Sequence, residues 1–205
     1  MVRAQRSVVI FDLGGVLLDW NPRNLYRKMF GGDDAAMEHF LTDICTPDWN
    51  LAQDAGRSRT DAIAVLMPQH QDKRHLIEAW FDRFDEMIPG SIAGTVDILE
   101  ELHGRGTPLY ALTNFGPETY PRTEKRFPFF RRFRGVTVSG RLKMIKPDPR
   151  IYQHLLDTHN IKGEDAVFID DVPKNAMGGA SAGIHGIHFT DPAALRRELV
   201  ALGLL

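Results

Sequence analysis

The most restrictive feature of this chain is a rhythm of apolar, β-rich runs, each followed by a helical pattern. Ser7 to Asp12 reads SVVIFD, Pro108 to Asn114 PLYALTN, Gly135 to Gly140 GVTVSG and Asp165 to Asp171 DAVFIDD, and a shorter IHGIHF follows at Ile184 to Phe189. Runs that are apolar throughout, rather than alternating, read as strands covered on both faces. The helices between them supply the crossovers that parallel pairing needs. The expected fold is α/β, a doubly wound parallel sheet.

The rhythm breaks once. Arg23 to Met87 is too long for one crossover and reads as several helices, among them DDAAMEHFLTDI, RTDAIAVLMPQH and KRHLIEAWFDRFDEM, whose apolar residues recur at helical spacing. Pro and Gly in MIPGSIAG, Met87 to Gly94, mark a return hinge. The expectation is a helical cap of residues 20–89 inserted into a core of residues 1–19 and 90–205, seated over the C-terminal edge of the sheet. A chain of 205 residues can bury one core plus a small accessory domain of this kind.

Composition excludes several partners. With 43% hydrophobic and 25% charged residues and a formal net charge of -2, the chain has no global field to recruit nucleic acid or an anionic membrane. A small-molecule partner is the expectation. The single cysteine, Cys45, forms no internal disulfide framework and reads as a small apolar residue in a reducing compartment. No apolar run approaches the ~20 residues of a membrane span. The N-terminal MVRAQRS leads into a strand without a signal-peptide pattern, so the expected location is cytoplasmic.

In an open parallel sheet, ligands bind beyond the carboxyl ends of the strands. Asp12 ends the first run, Thr113 and Asn114 the second, and Asp170 and Asp171 the fourth; Lys146 follows the third, ahead of a helix opened by Pro147, Asp148 and Pro149. Each alone has a bland reading, such as a solvated lysine or helix-capping acids. Their convergence on one edge is the informative fact. Together they suit phosphoryl transfer, with Asp12 attacking phosphorus to form an aspartyl-phosphate. Asp170 and Asp171 suit a hard divalent cation such as Mg2+. Thr113 and Asn114 can hydrogen-bond phosphate oxygens, Lys146 can neutralise charge, and the N–H groups of Leu13 to Gly15 can add donors.

The segments FDLGGV, LTN, IKPDPRIY and VFIDDVPKN, in this order between Val8 and about Phe189, resemble the four-motif signature of the haloacid dehalogenase superfamily. The helical insertion matches the subfamily with a small cap between the first two motifs. The resemblance implies that Asp12 is nucleophile and metal ligand, that the Gly14 carbonyl is a second ligand, and that Thr113 binds phosphate. It further implies that Lys146 neutralises charge, that Asp171 binds metal directly with Asp170 direct or through water, and that Asn175 orients an acid or a water. One position departs: superfamily phosphatases usually carry an aspartate two residues after the nucleophile, to protonate the leaving group and later activate water, and here that residue is Gly14. Loss of such a group removes a factor of about 100 to 10,000.

The activity this implies is a Mg2+-dependent phosphatase acting on small phosphorylated metabolites, as a monomer or homodimer. An L-2-haloacid dehalogenase uses the same aspartate and lysine without metal, and also lacks the second aspartate. Such enzymes carry Tyr then Gly-Thr where this chain has Gly14, Gly15 and Val16, and uncharged residues where it has the acidic pair. A catalytically weak binding protein is the third reading. Substrate contacts are expected from Gly14, Gly15, Asn114 and Asn175, and from Trp20 and Trp49 at the cap. Trp49 belongs to CTPDWNLAQDAGR with Asn50, Gln53, Asp54 and Arg57, a segment that either faces the site or forms a turn in which Trp49 is a packing anchor. Arg122 to Gly135, RTEKRFPFFRRFRG, interleaves basic and aromatic residues as a nucleic-acid surface does. With net charge -2 it reads instead as phenylalanines packed inward and arginines in solvent.

Overall fold

The computed structural model describes residues 6–205; the N-terminal reading of Met1 to Gln5 lies outside them. Five parallel strands, β1 (Val8–Phe11), β2 (Leu109–Thr113), β3 (Gly135–Val138), β4 (Ala166–Asp170) and β5 (His185–His188), form one sheet in the order β3-β2-β1-β4-β5. The chain winds outward from β1 through β2 to β3, then crosses back to β4 and on to β5. The switch point lies at the end of β1, between β2 and β4, which is where a ligand crevice opens in such a sheet. Register brings the tips together: Phe11 pairs with Ala111 and Ile169, Thr113 with Val138, and Asp170 with His188.

Alternate strand residues face opposite sides, and both sides are buried. Ile10, Tyr110, Leu112 and Phe168 pack with Ile151, Tyr152 and Leu155 on one side; Val9, Phe11, Ala111, Val167 and Ile169 face Leu99, Leu102 and Leu195 on the other. The covering helices come from the stretches between strands. Before β2, α1 (Arg23–Met29), α2 (Asp34–His39), α3 (Pro47–Asp54), α4 (Arg59–Leu66) and α5 (Arg74–Asp82) make up the insertion, and α6 (Ala93–Gly104) leads into the strand. Further along lie α7 (Tyr120–Arg126), α8 (Ser139–Leu142), α9 (Pro149–His159), α10 (Pro173–Gly178) and α11 (Pro192–Ala201). Among the described residues no helix is long and apolar enough to cross a membrane.

Several boundaries differ from the sequence reading for local reasons. The third strand stops at Val138 rather than Gly140, because the Ser139 hydroxyl accepts the Phe115 N–H at 2.9 Å and donates to the Asp54 carbonyl at 2.6 Å. Those two bonds turn the chain into α8. Residues 33–44 split into α2 and a π turn at Phe40–Ile44, and residues 73–87 into α5 and a 3-10 turn at Phe84–Met87. The segment of weak periodicity at 45–57 contains α3, a full helix. Thr46 caps it by accepting the Trp49 N–H at 3.0 Å, and Pro47 occupies the first turn, where a missing N–H costs nothing.

The insertion leaves and rejoins the core along paired connections. The Asp19 N–H donates to Gly90 at 3.0 Å, Asn21 N–H to Met87 at 2.9 Å, and Ile92 N–H to Leu17 at 2.9 Å. An aromatic cluster fills its interior, with Trp49 edge-on to Trp80 at 5.2 Å, Tyr26 against Phe40 at 4.9 Å, and the Tyr26 hydroxyl donating to Leu76. Phe129 and Phe130 of the basic, aromatic stretch are buried as expected, but its arginines are not all in solvent. Arg122 donates to the Phe81 carbonyl at 2.5 Å, and Arg126 to Asp85 and Ile88 at 2.8 and 3.0 Å, so α7 ties the insertion to the core.

Candidate active site

Asp12 is placed by the sheet and held by a tight loop. Its N–H extends the ladder of β1 by donating to Ile169 at 2.8 Å, and its carboxylate accepts the Leu13 N–H at 2.7 Å. The loop closes when Leu17 and Leu18 both donate to the Leu13 carbonyl. The two glycines inside this loop differ. Gly15 has φ +71, and a Cβ there would lie 2.3 Å from Asp171 Oδ2, so backbone conformation and close approach both require glycine. Gly14 has neither constraint: a Cβ there would meet only Trp20 Cβ, at 3.8 Å, an ordinary contact. Position 14 therefore has room for the side chain it lacks.

Lys146 is at the centre of the cluster. Its ammonium lies 2.9 Å from Asp12 Oδ1 and 2.6 Å from Asp170 Oδ2, and it donates to the Leu112 carbonyl at 3.1 Å, with the side chain wholly buried. This is not a solvated lysine. Its backbone is clamped by Asn114, whose amide donates to the Lys146 carbonyl at 3.2 Å while its oxygen accepts the Lys146 N–H at 2.8 Å. Asn114 was expected on phosphate; both ends of its amide are instead spent positioning Lys146. Thr113, beside it at the tip of β2, is buried.

Asp170 is fully buried and accepts from Lys146, from the Val172 N–H at 2.8 Å and from Asn175 at 3.4 Å. Asn175 Oδ1 is buried and has no hydrogen-bond partner among the described residues, while the other end of its amide meets Asp170. Asp12, Asp170 and Asp171 each offer an oxygen within 4.8 Å of the others. Three carboxylates, of which Asp12 and Asp170 are buried, and one ammonium leave a net formal charge of -2 at the site. Oxygen-only donors, that charge and the unpartnered amide oxygen fit a hard divalent cation. The ionisation equilibria agree. Burial raises Asp12 to about 7, Lys146 pulls the other way, and the like charges of Asp170 and Asp171 add to the rise. Asp171 is also raised, by burial and then by Asp170. Burial alone would lower Lys146, but Asp12 and Asp170 more than offset it and keep it charged.

A cleft between the cap and the loop after β2 is lined by Asn50, Gln53, Asp54, Arg57, Phe84 and Gly116; Asp12, Lys146, Asp170 and Asp171 lie outside its lining. Trp49 does not line it. Its ring is buried against Trp80 and Phe81, and its indole N–H donates to the Ala62 carbonyl at 3.1 Å, so the substrate-binding expectation for Trp49 is corrected to a packing anchor. Trp49 backs the cleft rather than lining it, with Arg57 of the cleft wall over its ring at 5.7 Å, a packing that depends on the phase of α3. Trp20 is half-buried beside Gly14. Cys45 is buried, and burial pushes its thiol well above the ordinary value, so it is held as a neutral apolar group. Asp19 is exposed on the connection to the insertion. Sequence reasoning missed Ser139 and Tyr152. Ser139 carries no signal beyond its place after a strand; the Tyr152 hydroxyl steadies α10 by donating to the Asn175 carbonyl at 2.7 Å.

An aspartate at the switch point, a buried lysine on it and an acidic pair beside them meet at one edge of the sheet. The chain belongs to the haloacid dehalogenase-like hydrolases, whose family pattern matches residues 7–183. It is 26% identical over 193 residues to the sesquiterpene phosphatase astK of Aspergillus oryzae, covering 94% of both chains. It is 23% identical to a phosphoglycolate phosphatase of Photobacterium profundum, over 89% of this chain and 82% of that one. Among solved structures, a HAD family enzyme of Bacteroides thetaiotaomicron in complex with magnesium superposes with a TM-score of 0.69 at 20% identity, covering 91% of this chain and 94% of that one. A dehalogenase superposes at 0.63 and 20%, over 90% and 84%. These two likenesses establish the shared fold.

Proposed function

We propose that the protein is a Mg2+-dependent phosphatase of small phosphorylated metabolites, acting through an aspartyl-phosphate on Asp12. The observation that carries this reading is the placement of Lys146 on Asp12, at 2.9 Å, beside three carboxylates whose oxygens lie within 4.8 Å of one another. Asp12, Asp170 and Asp171 would hold the cation, with the Gly14 carbonyl beside them, and Asn175 would orient its surroundings. When bound, the cation supplies charge neutralisation for a dianionic phosphate that the acids otherwise repel. Asp12 attacks phosphorus, Lys146 balances the charge passing between nucleophile and phosphate, and Thr113 with the loop N–H groups binds phosphate oxygens. The phosphatase relatives support the same reaction class.

Gly14 and the dehalogenase neighbour favour a second reading, an L-2-haloacid dehalogenase using Asp12 and Lys146 on carbon. Against it stands the charge of the site, since Asp170 and Asp171 beside Asp12 repel an anionic haloacid. The test is a screen of phosphorylated metabolites alongside 2-chloropropionate, each with Mg2+ and with chelator. Metal-dependent phosphate release is expected. Chelator-insensitive chloride release would establish the dehalogenase instead.

A further inference from the structure

Asp54 is a carboxylate in search of a role. It ends α3, and the cap end of that helix is fastened to the strand tips that carry the site. The Ser139 hydroxyl, at the end of β3, donates to the Asp54 carbonyl at 2.6 Å and accepts the N–H of Phe115, two residues past Thr113. Two residues on, Gly56 has φ +97, and a Cβ there would lie 2.8 Å from the Gly140 carbonyl, so only glycine lets α3 approach so closely. The fastening brings Asp54 to the loop that follows Thr113, where it lines the cleft between the cap and Gly116. It is steadied by neutral donors only, the Asn50 amide at 3.2 Å and the Gly116 N–H. Unlike Asp12 and Asp170, which share Lys146, Asp54 has no ion-pair partner among the described residues, yet it lies within the electrostatic field of Lys146. Burial raises it to about 7, with Lys146 and the Gly116 N–H pulling against the rise.

We infer that Asp54, supplied by the cap, is the general acid and base of this enzyme, taking the part that Gly14 leaves vacant. The inference rests on the phosphatase reading and deepens it. In the first step an Asp12 oxygen bonds to phosphorus, the bond from phosphorus to the leaving oxygen breaks with its electron pair on that oxygen, and the Asp54 carboxyl gives it a proton. In the second, Asp54 carboxylate takes a proton from water as the water oxygen bonds to phosphorus, and the bond to Asp12 breaks, freeing inorganic phosphate. A carboxyl with a balance point near neutrality serves both steps. The other acids have other places: Asp170 bonds Lys146, Asp171 belongs to the three-carboxylate cluster of the proposed cation, Glu118 accepts the Arg59 N–H, and Asp19 faces solvent.

The test compares wild type, Asp54→Asn and the double variant Asp54→Asn with Gly14→Asp, all with Mg2+, on p-nitrophenyl phosphate and n-butyl phosphate. Asparagine keeps the shape of the side chain, and thermal melting checks the fold. On butyl phosphate, whose leaving group needs a proton, Asp54→Asn should lose about 100-fold or more in turnover. On p-nitrophenyl phosphate it should keep a rapid burst of nitrophenolate followed by slow turnover, because the nucleophile is intact and only water activation fails. Aspartate at position 14, where the backbone leaves room, should restore at least a tenth of the lost rate. Equal losses on both substrates with no burst, or no loss on either, would overturn the assignment. If wild type released no phosphate from either substrate, the phosphatase reading itself would fall.

Discussion

The strand tips of the core and the cap end of α3 each hold an aspartate that desolvation pushes up to about 7, yet the two are built differently. Asp12 sits in a cluster with Lys146, Asp170 and Asp171, where every charge has a neighbour and the sum is negative. Asp54 sits among neutral donors with no cation bonded to it. The first environment suits a group that must stay ionised once a cation arrives. The second suits a group that must pass a proton both ways. Desolvation shifts both carboxylates in the same direction, and on the proposed mechanism their neighbours give them opposite tasks.

The largest effect that can break this contrast is Asp12→Asn, which should abolish phosphate release, by about 10,000-fold or more, with melting unchanged or improved. Retained turnover in a steady-state assay would show that the nucleophile lies elsewhere. Lys146→Met comes next, because it strips the only ammonium from two buried carboxylates. Without metal, it should cost about 3–5 kcal/mol in urea unfolding, and Mg2+ should recover part of that loss. A variant as stable as wild type would mean the buried ion pairs contribute little.

The glycine pair sharpens the same contrast at smaller amplitude. Gly15→Ala should destabilise by about 1–3 kcal/mol and weaken Mg2+ activation, since its Cβ meets Asp171. Gly14→Ala should shift stability by no more than about 0.5 kcal/mol. Matching Mg2+ titrations of the two would contradict the different roles given to adjacent glycines. The smallest effect concerns pH. Because the folded chain holds Asp12 at about 7, above its ordinary 3.8, the metal-free fold binds more protons than the unfolded chain in that window. Stability present at low pH is then lost as pH rises through about 7, and the loss is what a cation relieves. Mg2+ should therefore raise the melting temperature more at pH 8 than at pH 5; an equal or reversed difference would separate the cation from Asp12.

Much of the core was legible because its physics is local. A strand buried on both faces must be apolar along its length, so an acid at its tip stands out, and five such runs with crossovers leave few topologies. The sequence pattern alone therefore places Asp12, Lys146, Asp170 and Asp171 on one edge. The cap resisted for the opposite reason. Its short helices are set by capping and by contact with the core, so α3 hid in a segment with little amphipathic contrast, and the facing of Trp49 and Asp54 depended on a helix phase that periodicity did not reveal. Asn114 was misplaced because an amide at a strand tip suits phosphate and backbone alike. Only the position of Lys146 decides between them.

The most direct test of the account is to quench the enzyme rapidly during turnover of a phosphorylated substrate with Mg2+, then locate bound phosphoryl by peptide mass spectrometry. The account predicts one phosphoryl group on the peptide containing Asp12, labile to hydroxylamine, accumulating in Asp54→Asn and missing when chelator replaces Mg2+. A phosphoryl group on another residue, or none in either protein while phosphate is being released, would contradict it.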